Sequence, residues 1–143
     1  MPECRSACDR LTRVDERTHV AASTEAIELA QQAAEAAEDK LATDIVAIDV
    51  SQYLVITDVF LLCTAANDRQ VRAVVDAVEE RLQRHGAKPL RREGEKEGRW
   101  VLLDFGDIVV HVQMAEERVH YALERLWKDC PTIPLQLGAP DNA

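Results

Sequence analysis

The chain has 143 residues and a formal net charge of -9, from 17 basic and 26 acidic residues. This length suffices for one domain with a hydrophobic core, and the acidic balance argues against direct, sequence-specific nucleic-acid binding, which needs a basic stripe. An acidic surface suits a basic protein partner better, because complementary potentials steer the encounter. No run of about 18 apolar residues predicts a membrane span, and residues 1–22 lack the apolar core of a secretory signal.

The four cysteines do not form a metal-binding pattern. Cys4 and Cys8 lie near His19 in a polar leader, but no matching second pair completes a zinc site. Cys63 lies in an apolar run, where a buried thiol is expected, and Cys130 follows the last predicted helix. We therefore expect no metal, no cofactor and reduced thiols in a cytoplasmic protein.

The first predicted elements are a leader and a helix. Residues 1–22 are charged and weakly periodic, which predicts a disordered or weakly ordered leader. Ser23 or Thr24 can cap a helix that runs to about Leu41. Its predicted inward stripe consists of Ile27, Ala30, Ala34, Ala37 and Leu41. Because alanine buries little area, we expect this helix to dock weakly.

Two strands and a second helix follow. The apolar run within Asp44–Val50 predicts a strand in a central position, and Val59–Thr64 predicts a second strand. The connection between them is too short for a helical crossover, so the two strands should be antiparallel neighbours. Asn67 then caps a helix with a clean apolar stripe, and Gly86 ends it. The stripe comprises Val71, Val74, Val75, Val78 and Leu82.

The remaining segment predicts three strands and a helix. A strand covers roughly Lys88–Glu93, and a hairpin over Gly98–Val112 follows it. A helix is expected over about Glu116–Lys128, with Val119, Ala122, Leu123, Leu126 and Trp127 facing inward. Residues 132–143 are expected to form a flexible tail. The pattern predicts one α/β domain over residues 23–131, with a mixed five-stranded sheet flanked by helices.

The most informative stretch runs from Gly98 to Val112 and predicts two strands joined by a tight turn at Phe105-Gly106-Asp107. Side chains alternate between faces along a strand, so either possible two-residue loop sorts the hairpin into the same two faces. The aliphatic face, expected in the core, holds Val101, Leu103, Ile108, Val110 and Val112. The other face mixes aromatic, acidic and aliphatic residues, namely Trp100, Leu102, Asp104, Val109 and His111.

Three interpretations of this mixed face can be compared. Catalysis by His111 as a base is disfavoured, because the hairpin offers no Ser or Thr nucleophile. Two others remain open: simple packing of His111 beside Trp100 with Asp104 and Asp107 serving the turn, or docking of a protein partner. Docking agrees with the enrichment of tryptophan among binding hot spots and with the role of rim acids in partner choice, but the residues alone support packing and docking equally.

Other motifs have ordinary structural explanations. Thr57-Asp58 is typical of a turn before a strand, and Asn67-Asp68-Arg69-Gln70 is explained by helix capping, since no glycine-rich loop precedes it. The segment Arg91–Arg99 mixes charges that nearly cancel, as in a solvated turn. Metal-dependent nucleotidyl transfer would need clustered carboxylates, and the sequence shows no such cluster.

Several segments in order nevertheless resemble one known family. They are DIVAIDV at Asp44–Val50, ITD at Ile56–Asp58, RQV at Arg69–Val71, REG at Arg92–Gly94, WVLLDFGDIVVH at Trp100–His111 and LERLW at Leu123–Trp127. Together they resemble the ribosomal silencing factor family, RsfS, also called Iojap-like. The resemblance covers about Glu25 to Pro131.

This resemblance implies a nucleotidyltransferase-like fold without catalytic carboxylates, and a non-enzymatic function. It implies binding to the fourteenth protein of the large ribosomal subunit, where the small subunit joins, so that joining is sterically blocked and translation falls under nutrient limitation. It also implies a homodimer. By the same resemblance the ribosomal-protein contacts would be Trp100, Leu102, Asp104, Gly106, Asp107 and His111, with Thr57, Asp58, Arg92 and Glu93 as weaker candidates. The alternatives are a nucleotidyltransferase-like small-molecule enzyme and a plain dimerisation module.

Overall fold

The computed structural model describes residues 22–54 and 57–137. The leader, apart from Ala22, and the last six residues lie outside this part of the chain, so the structure does not address the predictions made for them. The described elements are α1 (Thr24–Asp39), β1 (Thr43–Asp49), β2 (Val59–Ala65), α2 (Asp68–Arg84), β3 (Arg91–Glu93), β4 (Trp100–Asp104), β5 (Ile108–Met114), α3 (Ala115–Tyr121), α4 (Leu123–Leu126) and β6 (Thr132–Ile133).

The strands form one mixed sheet in the order β3-β4-β5-β2-β1-β6. Strands β2 and β5 are parallel, and every other neighbouring pair is antiparallel, including β1 with β2 as expected. The prediction of five strands was wrong, because β6 adds a sixth beside Ala47 and Ile48 of β1. A two-residue strand carries no periodic signal, so only its partner strand reveals it.

Helices α1 and α2 cover one face of the sheet, and the main core lies between them and the strands. The aliphatic face of the hairpin is buried there as predicted, with Val101, Leu103, Ile108, Val110 and Val112 between 0% and 2% exposed. The predicted stripe of α2 is buried in the same core. Asn67 Oδ1 accepts a hydrogen bond from the backbone N–H of Gln70 at 2.8 Å, which confirms the cap.

The predicted stripe of α1 was partly wrong. Ile27 is 38% exposed and Leu41 is 78% exposed. The buried face consists entirely of alanines, namely Ala26, Ala30, Ala33, Ala34, Ala36 and Ala37. A face of small side chains lets a helix pack closely against its neighbours, so steric fit rather than hydrophobicity selects the face. Leu41 lies beyond the end of the helix with a φ of 67°.

The prediction of a single C-terminal helix over 116–128 was also wrong, because the helix is interrupted at Ala122. This residue has φ 43° and ψ 55°, in the left-handed region, and separates α3 from α4. Val119 and Leu126, predicted to face inward, are 79% and 71% exposed. Leu123 and Trp127 do pack inward, against a second cluster on the sheet face opposite α1 and α2, made of Ile48, Val50, Leu62 and Cys130.

Polar contacts hold α3 against the sheet. The Arg99 guanidinium donates to Glu117 Oε2 at 2.6 Å and to Glu116 Oε1 at 2.8 Å. The buried Arg118 donates to Thr64 Oγ1 on β2 at 2.8 Å. Charged side chains therefore hold this short helix against the sheet. The prediction that Val119 faces inward relied on apolar spacing alone and did not include these contacts.

Candidate docking face

Strands β4 and β5 place five predicted residues on one side of the sheet, opposite α1 and α2. We call this surface the Trp100 face and define it by Trp100, Leu102, Asp104, Val109 and His111. The register pairs Leu102 with His111 and Asp104 with Val109, so these side chains share a face as predicted. Trp100, Leu102 and Asp104 are partly exposed, whereas Val109 and His111 are buried.

Trp100 and His111 form a hydrogen-bonded pair. The indole Nε1–H donates to His111 Nδ1 at 3.2 Å, and the imidazole is only 5% exposed. An accepting Nδ1 requires a neutral imidazole that carries its proton on Nε2. Burial favours the same state, because desolvation lowers the pKa of His111 to about 4. His111 thus orients the indole from beneath instead of presenting itself to a partner.

Asp104 and Gly106 build the turn of the hairpin. Phe105 N–H donates to the Ile108 carbonyl at 2.9 Å, which leaves Gly106 and Asp107 as a two-residue loop. Gly106 has a φ of 91°, a conformation that glycine adopts without strain. Asp104 Oδ1 accepts from the Gly106 N–H at 2.9 Å, so its carboxylate serves the turn and does not orient His111 as a base.

Asp107 has two roles at the tip of the hairpin. Its carbonyl accepts from the backbone N–H groups of Asp58 and Val59, at 2.8 and 3.2 Å, and thereby ties the tip to β2. Its side chain is exposed. Of the predicted turn residues, Asp107 therefore offers the most accessible carboxylate.

A shallow cleft of about 270 Å³ borders the Trp100 face and is lined by Glu93, Gly94, Trp100 and Leu102. Gly94 was not among the predicted site residues. Its φ is 86°, and a Cβ there would collide with the carbonyl oxygen of Trp100. The glycine in the Arg92-Glu93-Gly94 motif was the available signal, because such a glycine can mark a close backbone approach.

The four weaker candidates are not brought together. Thr57 is buried, and Asp58 Oδ2 accepts from the Ser23 N–H at 2.9 Å, so it holds the start of α1. Arg92 forms an ion pair with Glu79 of α2, on the helix-covered side of the sheet. Only Glu93 lies at the edge of the Trp100 face, where it pairs with Arg91 Nη1 at 2.9 Å. Arg91 Nε also lies 3.4 Å from Asp104 Oδ2.

Three further aromatic residues extend the pair into a row across the sheet. Ring centroids are 6.0 Å apart for Trp100 and His111, 4.9 Å for His111 and Phe60, 5.5 Å for Phe60 and Trp127, and 6.1 Å for Trp127 and Tyr53. We call these five residues the aromatic row. Sequence reasoning missed Phe60, Trp127 and Tyr53 as members, because their proximity depends on the pairing of β2 with β5 and on the position of α4.

The described residues offer neither a metal site nor a membrane-spanning helix. Within the described ranges, no group of three His, Cys, Asp or Glu side chains could hold a metal ion. None of the helices in this part of the chain is long and apolar enough to cross a membrane. A larger cleft of about 650 Å³ lies between the start of α1, the end of α2 and the hairpin tip, lined by residues that include Glu25, Lys88 and Asp107.

Comparisons with known sequences agree with the resemblance found in the sequence. The family model described as "Ribosomal silencing factor during starvation" matches residues 23–143. A Bacillus subtilis protein named ribosomal silencing factor RsfS is 42% identical over 106 residues, which is 74% of this chain and 90% of that protein. A protein of the same name from Halalkalibacterium halodurans is 41% identical over 109 residues, covering 76% and 93%. The chloroplastic Iojap protein of Zea mays is 32% identical, with 48% of its length covered.

Solved structures give the same result. A Chromobacterium violaceum crystal structure superimposes with a TM-score of 0.68 at 33% identity, covering 80% of this chain and 94% of that one. A Bacillus halodurans structure gives a TM-score of 0.66 at 40% identity, covering 76% and 98%. The sequence match spans most of the domain and the fold agrees with it, so the predicted family is confirmed. The chain belongs to the ribosomal silencing factor family.

Proposed function

We propose that this protein uses the Trp100 face to bind the large ribosomal subunit through its fourteenth protein, at the surface where the small subunit joins. Bound there, it blocks subunit joining by its bulk and represses translation when nutrients are limiting. Its relatives are named ribosomal silencing factors, which supports ribosomal silencing as the general function. The proposal places the protein in the cytoplasm and requires no catalytic step.

The observation that carries the proposal is the setting of Trp100. The indole is partly exposed beside Leu102 and the 270 Å³ cleft, on a sheet face that α1 and α2 leave uncovered. Its N–H is already bonded to His111, so the ring is oriented before any partner arrives. A pre-oriented tryptophan is typical of a binding hot spot, because less side-chain entropy is lost on association.

The rim of the face suits a basic partner. Glu93 and Asp104 lie beside Leu102 and share one cation, Arg91. The whole chain carries a net charge of -9. An acidic protein approaching a basic ribosomal protein gains a faster encounter and a preferred orientation, whereas bare RNA phosphate would be repelled.

Co-sedimentation with purified ribosomal subunits tests the proposal. The protein is expected to migrate with the large subunit in a sucrose gradient and to reduce the yield of joined ribosomes when small subunits are added. Trp100→Ala should weaken binding by more than about 1 kcal/mol, or roughly fivefold, with the fold intact. Leu41→Ala is the matched control, since Leu41 is 78% exposed and lies outside the Trp100 face. Wild-type protein that stays at the top of the gradient at moderate salt would refute the proposal.

The two alternatives can be tested separately. The likeness of the fold to nucleotidyltransferases stays a prediction from the resemblance. The alternative of a nucleotidyltransferase-like small-molecule enzyme is tested by a thermal-shift titration with nucleotides and Mg²⁺, because a ligand at a hundredfold its dissociation constant adds about 2.7 kcal/mol of stability, and the absence of a shift would count against it. The homodimer is likewise proposed. If Trp100 were buried between two copies, Trp100→Ala would convert a dimer to a monomer in sedimentation experiments, whereas the docking proposal expects the oligomeric state to be unchanged.

A further inference from the structure

We infer that the ribosomal-protein footprint extends beyond the hairpin, along the aromatic row to Trp127 and Tyr53, so that one partner contacts both ends of the row. This inference rests on the proposed function and adds to it a second anchor, on α4 and on the loop after β1. The LERLW motif at Leu123–Trp127, which the sequence analysis singled out, then contributes to docking through its last residue.

The row is physically continuous. His111 of β5 and Phe60 of β2 contact each other edge to face across the parallel strand pair, with ring centroids 4.9 Å apart. Phe60 then meets Trp127 at 5.5 Å in the same type of contact. Edge-to-face packing fixes the ring orientations, so the two ends are held in a constant relationship.

The ends of the row are accessible while its centre is buried. His111 is 5% exposed, whereas Tyr53 is 56% exposed and Trp100 is partly exposed. Tyr53 also rests against Trp127, which is partly exposed and anchored on the second cluster. An exposed tyrosine held by a tryptophan presents a large contact area at little entropic cost.

The distance between the ends matches one interface. Four ring-to-ring steps of 4.9 to 6.1 Å place Tyr53 within about 23 Å of Trp100, whereas a standard interface of about 800 Å² per partner is roughly 30 Å across. A contact of that size that starts at Trp100 and runs along the row is therefore wide enough to include Tyr53. We commit to a ribosomal-protein partner over a second copy of the chain, because the carboxylates of Glu93 and Asp104 at the rim and the net charge of -9 complement a basic ribosomal protein better than a surface of the same chain.

Site-specific photo-crosslinking to purified large subunits tests the inference. A photoreactive phenylalanine analogue replaces Tyr53 in one variant and Leu102 in another, and both full-length proteins are irradiated with large subunits. Both positions are expected to label the same ribosomal protein. Labelling from position 102 alone, or labelling from position 53 only to a second copy of the chain, would overturn the inference while the proposed function stands. If neither position crosslinks to a ribosomal protein, and if the wild-type protein does not sediment with large subunits, the proposed function itself is overturned.

Affinity measurements give an independent readout. Tyr53→Ala should weaken binding to large subunits about tenfold, whereas Tyr53→Phe should stay within about twofold of wild type, because the ring makes the contact. Leu41→Ala, which removes an apolar side chain that is 78% exposed and lies outside the row, is expected to have no effect. Equal affinity of Tyr53→Ala and wild type, with unchanged unfolding midpoints, would contradict a second anchor.

Discussion

The buried histidine under Trp100 makes stability depend on pH. Burial lowers the pKa of His111 from 6.5 to about 4 in the folded protein, while the unfolded chain keeps the ordinary value. Between these two values the unfolded state binds more protons than the folded state, so the free energy of unfolding falls as the pH falls. The stabilisation is fully present above pH 6.5 and is lost as the pH approaches 4.

The expected loss of stability on acidification follows from the lowered pKa of His111. A lowering of about 2.5 pKa units corresponds to about 3 kcal/mol in total, and roughly 2 kcal/mol of this is lost between pH 7 and pH 5. Protonation also fills Nδ1, which then can no longer accept the Trp100 N–H. Acidification towards pH 4 should therefore alter the indole environment in the protein that remains folded.

Urea unfolding at pH 7 and pH 5 measures the contribution of His111 to the pH dependence of the free energy of unfolding, when wild type is compared with His111→Asn. The amide oxygen of the variant retains an acceptor for Trp100 but does not titrate. Carboxylates elsewhere contribute equally to both proteins, so the difference between their pH dependences isolates His111. Wild type is expected to lose about 2 kcal/mol more than the variant. Identical pH dependences would show that the imidazole is hydrated or charged in the folded state, and would refute the account of the Trp100 face.

Three further predictions concern the backbone and the core. Gly94→Ala should destabilise the protein by about 3 kcal/mol in urea unfolding, because the new Cβ collides with the Trp100 carbonyl and φ at this position is positive. A loss of stability under about 1 kcal/mol would contradict the close approach of Gly94 to the Trp100 carbonyl. Ala122→Gly should raise stability by about 0.5–1 kcal/mol by relieving the left-handed residue between α3 and α4, and a decrease would argue against that conformation. Cys63, whose pKa burial raises to about 12, should resist a thiol reagent at pH 8 until urea unfolds the chain; rapid labelling of folded protein would show that it is accessible.

Local sequence patterns were sufficient to predict a helix or strand and its buried face where that face packs on a large, continuous core. The alternation in the β4–β5 hairpin predicted both faces correctly, because a strand has only two faces and a one-residue error would reverse them. The same holds for α2, where a capping asparagine and a valine stripe specify the start and the buried face. The candidate face around Trp100 and His111 was therefore accessible to sequence reasoning.

Local patterns failed where contacts distant in sequence decide the conformation. The buried face of α1 is chosen by close packing against α2, which admits alanine and leaves Ile27 exposed. The C-terminal helix breaks at Ala122 although no proline or glycine marks the break. The ion pairs of Arg99 and the bond from Arg118 to Thr64 hold α3, and Leu123 and Trp127 pack on the second cluster, so contacts distant in sequence hold the segments on both sides of Ala122.

The sequence by itself determined the α/β class, the capped second helix, the two faces of the hairpin and the family, because these depend on periodicity and on ordered motifs. Only the tertiary structure decided that His111 lies buried beneath Trp100 and that Phe60, Trp127 and Tyr53 continue the row. Their alignment needs β2 beside β5 and α4 across the sheet, and pairings between segments distant along the chain leave no periodic signal in either segment.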